Sequence, residues 1–66
     1  MDKQLFELSK ADEKQTSRQL SVSVGTLRRW RLLNQGPPFR RIGGLIRYDP
    51  QEVELWYRNQ PKGGSK

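Results

Sequence analysis

The residue type with the clearest chemical potential in this sequence is arginine. Six arginines fall in two groups of three: Arg28, Arg29 and Arg31, then Arg40, Arg41 and Arg47. The guanidinium group is a permanent cation whose planar fork of N–H donors matches the paired oxygens of phosphate and carboxylate groups. This pattern indicates reversible binding of an anion rather than a covalent reaction.

The residue types that most catalytic and metal sites need are missing from the chain. It contains no histidine and no cysteine, which excludes Ser-His-Asp triads, histidine general bases, zinc fingers and Cys/His metal sites. The clustered carboxylates Asp49, Glu52 and Glu54 fit the first turns of a helix, where they stabilise the helix dipole. We therefore expect no enzymatic activity, no catalytic residue, no metal and no cofactor. The lack of cysteine is also typical of a reducing cytoplasm.

Charge is unevenly distributed along the chain. The formal net charge is +6, the pI is about 10.3, and the hydrophobic content is 32%. Eight Lys/Arg residues and no acid fall between Lys14 and Tyr48, and all seven acids lie outside that block. A block free of acids is typical of binding to a polyanion. RNA or an anionic membrane surface would produce a similar charge bias. No apolar run approaches the length of a membrane span or of a signal peptide. We expect no membrane partner.

The first arginine group belongs to a predicted helix within Val22–Gly36. Ser23 fits the N-cap, and Gly36, followed by Pro37-Pro38, fits the left-handed position after the last turn. At about 100° per residue, two faces separate. The inward face holds Val24, Leu27, Trp30 and Leu33, with Thr26 and Asn34. The outward face holds Gly25, Arg28, Arg29 and Leu32, with Arg31 at its flank. A DNA recognition helix has this pattern, and so does an ordinary amphipathic helix with a solvated charged face.

A shorter helix is predicted before it, over Asp12–Leu20. Asp12 as N-cap and Gln15 three residues later have the spacing of a capping box. Its inner face would rest on Thr16 and Leu20, with a small residue at position 17 for close approach of a neighbour. The two-residue connection that follows, at positions 21–22, gives the layout of a helix-turn-helix.

The second arginine group lies in a predicted β-hairpin around Gly43-Gly44. A two-residue Gly-Gly turn between β-capable runs is a strong hairpin signal, because the favoured turns need positive φ. The implied register pairs Phe39 with Tyr48, Arg40 with Arg47, Arg41 with Ile46 and Ile42 with Leu45. Phe39, Tyr48 and Ile46 then face the core, with Arg41 near the rim, whereas Arg40 stands beside Arg47 on the other face. Those two like charges either share a bound anion or point apart into water.

The last predicted helix begins at Asp49 as N-cap and Pro50 at the first helical position. Val53, Trp56 and Tyr57 fall on its inner face, and the compact core is expected to centre on Trp30 and Trp56. Residues 1–10 are expected to form an N-terminal arm or turn, whose Leu5, Phe6 and Leu8 either pack on the domain or mediate self-association. Residues 59–66 are expected to be a disordered tail.

Taken together, the motifs resemble one known family. The runs V-S-x-x-T-L-R-R-W, G-P-P-F-R-R-I-G-G-L-I-R-Y and D-P-x-x-V-x-x-W, within residues 11–58, are similar to the excisionase-like, MerR-related winged-helix proteins. The resemblance implies an α+β winged helix-turn-helix, in which helices pack with a two-stranded hairpin wing. It implies DNA contacts in the major groove from the second helix and in the adjacent minor groove or backbone from the wing. The resemblance puts Gly25, Arg28, Arg29 and Leu32 towards the DNA and matches Arg40, Arg47 and the Gly43-Gly44 tip to the wing. The full set of expected contact residues adds Ser23, Thr26 and Arg31 on the helix and Arg41 on the wing.

The function implied by the resemblance is sequence-specific binding of double-stranded DNA without catalysis. An excisionase, a recombination directionality factor of a phage or mobile element, bends attachment-site DNA so that an integrase carries out excision. An integrase or recombinase partner, side-by-side self-association on DNA and a cytoplasmic, nucleoid-associated location in a bacterial or phage-infected cell follow from that reading. The close alternative is a small AlpA-type transcriptional regulator. RNA binding, or a protein-interaction adaptor acting through Leu5, Phe6 and the tail, would also fit parts of the sequence.

Overall fold

The computed structural model describes residues 10–62 of the chain. Within that range it contains three helices and a two-stranded antiparallel hairpin. The elements are α1 (Glu13–Leu20), α2 (Val24–Leu32), β1 (Arg40–Ile42), β2 (Leu45–Arg47) and α3 (Pro50–Arg58). This small α+β arrangement is compatible with a winged helix. The predictions for an arm containing Leu5, Phe6 and Leu8, and for positions 63–66 of the tail, lie outside the described residues.

The capping box at the start of α1 is confirmed. The Asp12 carboxylate accepts a hydrogen bond from the Gln15 backbone N–H at 2.8 Å, and the Gln15 side chain accepts one from the Asp12 N–H at 2.9 Å. Thr16 and Ser17 are buried, as the inner face predicts, whereas Leu20 is half-buried. Two polar residues thus form the inner face of α1, so this helix contributes little apolar burial to the fold.

Helix α2 begins as predicted and ends earlier than predicted. The Ser23 hydroxyl accepts a hydrogen bond of 3.0 Å from the backbone N–H of Thr26. At the other end, Asn34 adopts the left-handed conformation with φ 56°, and the N–H of Gln35 donates to the Trp30 carbonyl at 2.7 Å. This hydrogen bond is typical of a Schellman motif. The prediction that Gly36 occupies the left-handed cap is therefore wrong, because Asn34 takes that position two residues earlier.

Gly36 has a different role, in packing. Its φ is +89°, and a Cβ placed on it would lie 2.9 Å from the Cβ of Trp30. Real Cβ atoms are not found at such distances, so the chain passes closer to the indole than any other residue type allows. The glycine thus permits the return of the chain against Trp30 towards the hairpin.

The hairpin register is confirmed within the two strands. Its Cα partners are Arg40 and Arg47, Arg41 and Ile46, and Ile42 and Leu45. The predicted pairing of Phe39 with Tyr48 does not continue the ladder. Tyr48 instead exchanges two backbone hydrogen bonds of 2.7 Å with Ala11, just before α1. Ala11 thereby fastens the start of the described chain to the end of the hairpin.

The fully buried side chains differ from the predicted pair of tryptophans. Tyr48, Leu27, Val53 and Thr16 are each at most 1% exposed. The two indoles, of Trp30 and Trp56, are half-buried at the edge of this core, with ring centroids 5.5 Å apart. The prediction of a core centred on the tryptophans is therefore wrong, because other residues form its centre, although the two rings do pack together.

Three residues predicted to face inward are exposed: Asn34, which lies beyond the end of α2, Leu33 and Tyr57. Leu33 is 56% exposed and Tyr57 is 59% exposed. Leu33 follows the last residue of α2, so the helical projection no longer applies to its side chain. Tyr57 lies in the last turn of α3, where the helix has passed the part of the core formed by Val53.

Helix α3 begins and ends on local signals. The Asp49 carboxylate accepts a hydrogen bond from the Gln51 N–H at 2.9 Å, and Pro50 is the first helical residue, as predicted. Beyond Arg58, the N–H groups of Asn59 and Gln60 still donate to carbonyls of the last turn. None of the helices in the described part of the chain is long and apolar enough to cross a membrane.

Candidate nucleic-acid interface

The outward face of α2, named here the α2 face, consists of Gly25, Arg28, Arg29 and Leu32. All four are exposed, and Leu32 reaches 84% exposure. The opposite side of the helix packs inward through Leu27, which is 1% exposed. The separation predicted by the helical projection is therefore confirmed for these residues.

Ser23 and Thr26 use their hydroxyls within the protein. The Ser23 Oγ caps α2 and lies 3.0 Å from the Thr26 Oγ1. Thr26 is half-buried, whereas Ser23 is exposed at the helix N-terminus. The structure therefore gives Ser23 a capping role and places it at the edge of the α2 face.

Arg28 is not free, because Glu13 of α1 binds it. The Arg28 Nη2 lies 2.6 Å from the Glu13 Oε2, and the Arg28 Nε donates to Oε1 at 3.3 Å. The side chain of Arg28 is nonetheless 63% exposed. Its guanidinium is therefore accessible from solvent while it is held by one internal carboxylate.

Arg31 belongs to the interior of the same network. Its Nη2 lies 3.1 Å from the Glu13 Oε1, and its Nη1 donates to the Tyr48 phenolic oxygen at 2.8 Å. The Arg31 side chain is only 14% exposed, and its Cζ lies 5.8 Å from the centre of the Phe39 ring. The structure thus places this predicted contact residue where it joins α2 to α1 and to the hairpin.

Arg29 is the exposed arginine of α2 for which residues 10–62 provide no ion-pair partner. Among residues 10–62, no carboxylate oxygen lies within ion-pair distance of its guanidinium. Within the described part of the chain, its guanidinium is therefore the one on α2 that no carboxylate neutralises.

On the hairpin, a carboxylate of α3 binds Arg40. Its Nη1 and Nη2 donate to the two carboxylate oxygens of Glu52 at 3.0 and 2.8 Å. The Arg47 Nη1 donates to the Ile46 carbonyl at 2.8 Å. The two arginines are Cα partners as predicted, but the prediction that they either share a bound anion or point into water is wrong for Arg40, because Glu52 neutralises it.

The remaining hairpin residues form an accessible rim and tip. Arg41 is exposed, with its Cζ 5.4 Å from the centre of the Phe39 ring and no carboxylate of residues 10–62 paired with it. Gly43 and Gly44 make the turn with φ values of 54° and 90°, as the Gly-Gly signal predicts. A Cβ on either glycine would meet nothing within 4 Å, so the turn has open space around it.

A groove connects the α2 face to the hairpin. It has a volume of about 320 Å³ and is lined by Arg28, Arg31, Leu32, Arg41 and Ile46. This α2–hairpin groove brings together two parts of the chain that the sequence analysis assigned separately to anion binding. Its arginines make it electropositive and its floor is partly aliphatic, a combination that suits a phosphate backbone beside an apolar base or sugar edge.

Ion pairing shifts the titration of both internal carboxylates. The hydrogen bond from Arg28 holds the pKa of Glu13 below its ordinary value, against the opposing effect of burial, and Arg31 lowers it further. The hydrogen bond from Arg40 likewise lowers the pKa of Glu52. Both carboxylates are therefore ionised over the physiological pH range, and the arginines they hold stay charged.

Glu13 and Glu52 are the site residues that sequence reasoning missed. They stand just outside the block between Lys14 and Tyr48 that contains no acid, and the fold returns them to it. The sequence did indicate that both residues lie in the first turns of α1 and α3, so that each helix has a carboxylate near its N-terminus. Which arginine each one meets depends on the packing of helices that are distant in sequence.

Comparison of the chain with models of known protein families, with curated proteins and with solved structures found no match. The family resemblance therefore stays a prediction. No cluster of three or more His, Cys, Asp or Glu side chains that could hold a metal is present in residues 10–62. What this surface offers chemically is a set of guanidinium donors for anions.

Proposed function

We propose that the protein is a sequence-specific double-stranded DNA-binding protein of the winged-helix type. In this proposal α2 is the recognition helix in the major groove, and the hairpin is a wing over the neighbouring minor groove or backbone. The observation that carries the proposal is the α2–hairpin groove, in which Arg28 of the helix and Arg41 of the hairpin line one continuous surface. A net charge of +6 supports attraction to the duplex.

The roles of the side chains follow from their exposure and partners. Arg29 reads a base edge or a phosphate directly, because no carboxylate of residues 10–62 is paired with it. Leu32, which is 84% exposed, makes an apolar contact, for which a thymine methyl is suited. Arg41 and Arg47 contact the backbone from the hairpin, and Arg31 also holds the helix in place through its hydrogen bond to Tyr48. Gly25 lets the first turn of α2 approach the duplex closely.

The finer proposal, an excisionase, is supported by the family resemblance of residues 11–58. Such a protein would bend attachment-site DNA and direct an integrase towards excision. A small AlpA-type regulator would use the same reading surface and differ in the site it occupies. The two are distinguished by the DNA: a footprint on an attachment region supports the first, and a footprint on a promoter alone supports the second.

The DNA-binding proposal is tested with a duplex selected from a randomised library, followed by fluorescence anisotropy at several salt concentrations. With three to five arginine–phosphate contacts, the slope of log K against log[salt] should be about −3 to −5. Arg29→Ala should weaken specific binding by about 1–3 kcal/mol. The matched control is Arg58→Ala, since Arg58 is exposed on α3 and pairs with Glu54, away from the α2 face.

Three results would contradict the proposal. A slope shallower than about −2 would mean that the arginines of α2 and the hairpin do not meet the phosphates. Equal losses of duplex affinity for Arg29→Ala and Arg58→Ala would mean that binding depends only on the net charge of the protein. A single-stranded RNA competitor that displaces the duplex at equal concentration would favour RNA binding instead.

A further inference from the structure

Glu13 differs from the other carboxylates that form ion pairs in residues 10–62, because two arginines hold it. Its Oε2 lies 2.6 Å from the Arg28 Nη2, and its Oε1 lies 3.1 Å from the Arg31 Nη2. Glu52 and Glu54 each pair with one arginine. Glu13 therefore occupies a point where two guanidinium groups converge.

That convergence has the geometry of a phosphate-binding site. A carboxylate and a phosphate both present neighbouring oxygens to the guanidinium fork, and arginines bind either group in the same manner. Both arginines also line the α2–hairpin groove, which is open to solvent. A backbone phosphate entering the groove would thus meet donors that Glu13 already engages.

We propose that Arg28 and Arg31 form a binding site for one DNA phosphate, and that the Glu13 carboxylate is its internal occupant in the free protein. The phosphate must displace Glu13, so Glu13 lowers the affinity for every duplex, whatever its sequence. This inference rests on the proposed DNA binding. It adds a named phosphate site and a named competitor to that function.

A phosphate can replace the Glu13 carboxylate because Arg28 and Arg31 differ in their exposure and in their other bonds. Arg28 is 63% exposed, and ion pairs of exposed side chains contribute little to stability. Arg31 is 14% exposed and keeps its hydrogen bond to Tyr48 when Glu13 leaves. Arg31 is therefore the fixed part of the site, and the Arg28 side chain is the part that exchanges the Glu13 carboxylate for the phosphate.

The test compares three variants with the wild-type full chain in duplex binding. Glu13→Gln removes the competing charge. Glu13→Asp keeps the net charge but shortens the side chain, which withdraws the carboxylate from the arginines. Glu54→Gln is the matched control, because it removes one arginine-paired carboxylate from α3 and changes the net charge as Glu13→Gln does.

We expect Glu13→Gln to tighten binding to selected and scrambled duplexes alike, roughly two- to fivefold beyond Glu54→Gln. The salt slope should stay nearly the same, because the phosphate also contacts Arg28 and Arg31 in the wild-type complex once Glu13 is displaced. Glu13→Asp should shift the affinity in the same direction without any change in charge. The proposed phosphate site is wrong if Glu13→Gln increases duplex affinity no more than Glu54→Gln does, and Glu13→Asp does not increase it. Glu13 would then serve only to hold α1 against α2.

A second measurement separates this inference from the proposed function. Inorganic pyrophosphate is titrated into each protein alone while the Nε–Hε NMR signals of the arginines are followed. In Glu13→Gln the Arg28 signal should respond at lower pyrophosphate concentration than in Glu54→Gln, even if the wild type binds no duplex. Equal responses in the two variants would overturn the phosphate site, whereas duplex binding could still stand on Arg29 and the hairpin.

Discussion

The guanidinium of Arg31 donates a hydrogen bond of 2.8 Å to the phenolic oxygen of Tyr48. Tyr48 is 1% exposed, so this bond connects an arginine of the helix that carries the α2 face to the centre of the core. Arg31 is also bound to Glu13 of α1. One side chain therefore fixes the position of α2 relative to both the first helix and the hairpin.

Loss of this hydrogen bond should lower stability. Tyr48→Phe leaves the ring in place and removes the acceptor, so we expect the free energy of unfolding to fall by about 1.5–3 kcal/mol, the range for a hydrogen bond to a charged group. Arg29→Gln, at an exposed position of the same helix with no ion-pair partner among residues 10–62, should change the free energy of unfolding by less than about 0.5 kcal/mol. Urea denaturation of each variant measures both values, and an equal loss in the two would contradict the assigned roles.

Gly36 and Gly44 provide a comparison in which the φ angle is matched. Their φ values are 89° and 90°, but a Cβ on Gly36 would collide with Trp30, whereas one on Gly44 would meet nothing within 4 Å. Each Gly→Ala change adds the strain of a left-handed alanine, about 1–2 kcal/mol. Gly36→Ala should cost a further ~1–3 kcal/mol from overpacking against the indole. Thermal melts of the two variants should therefore differ, with Gly36→Ala the less stable; equal melting temperatures would mean that the indole moves aside freely.

The stability of the fold should decrease at acidic pH, because Glu13 and Glu52 become protonated and lose their ion pairs. Arginine partners lower the folded-state pKa of both groups from the ordinary value of 4.5. A group with a lowered folded-state pKa stabilises the fold fully above its unfolded-state pKa and loses that contribution as the pH falls through the folded-state value. The difference in melting temperature between wild type and Glu13→Gln/Glu52→Gln should thus be greatest at neutral pH and shrink below about pH 4. A difference that stays constant from pH 7 to pH 3 would show that the ion pairs do not stabilise the fold.

The parts of the fold that the sequence predicts are those fixed by neighbouring residues. The Asp12–Gln15 capping box, the Ser23 cap and the Gly43-Gly44 turn each depend on contacts within a few positions, and all three are present. Local rules also select the exposed α2 face, because its residues repeat with the period of the helix. Local patterning therefore accounts for where the helices begin, for the hairpin turn and for which side of α2 faces outward.

The parts that the sequence does not predict depend on distant contacts. Glu13 and Arg28 are 15 positions apart, and Arg40 and Glu52 are 12 apart. Neither pairing follows from a periodicity, because each requires the relative placement of two elements. The block of sequence free of acids consequently overstates how much positive charge the folded surface leaves unpaired. The arginines without a carboxylate partner were recognisable only once that placement was known.

Gly25 allows folding and DNA binding to be separated by one substitution. It lies in the first turn of α2 without a positive φ, and a Cβ there would make only an ordinary contact of 3.7 Å with the Ser23 Oγ. Gly25→Ala should therefore stabilise the free protein by about 0.5 kcal/mol, because alanine loses less backbone entropy than glycine. If the first turn of α2 approaches the duplex closely, the same methyl group should weaken DNA binding by about tenfold or more.

The control for Gly25→Ala is Gln51→Ala. Gln51 is exposed at the second helical position of α3, as Gly25 is in α2, but α3 lies outside the proposed DNA interface. Gln51→Ala should leave duplex affinity unchanged and stability within about 0.5 kcal/mol of wild type. The measurements are a thermal melt of each free variant and a duplex titration at one salt concentration. Higher stability with unchanged affinity in Gly25→Ala would mean that the glycine is only tolerated near the helix end, and that α2 does not approach the duplex through its first turn.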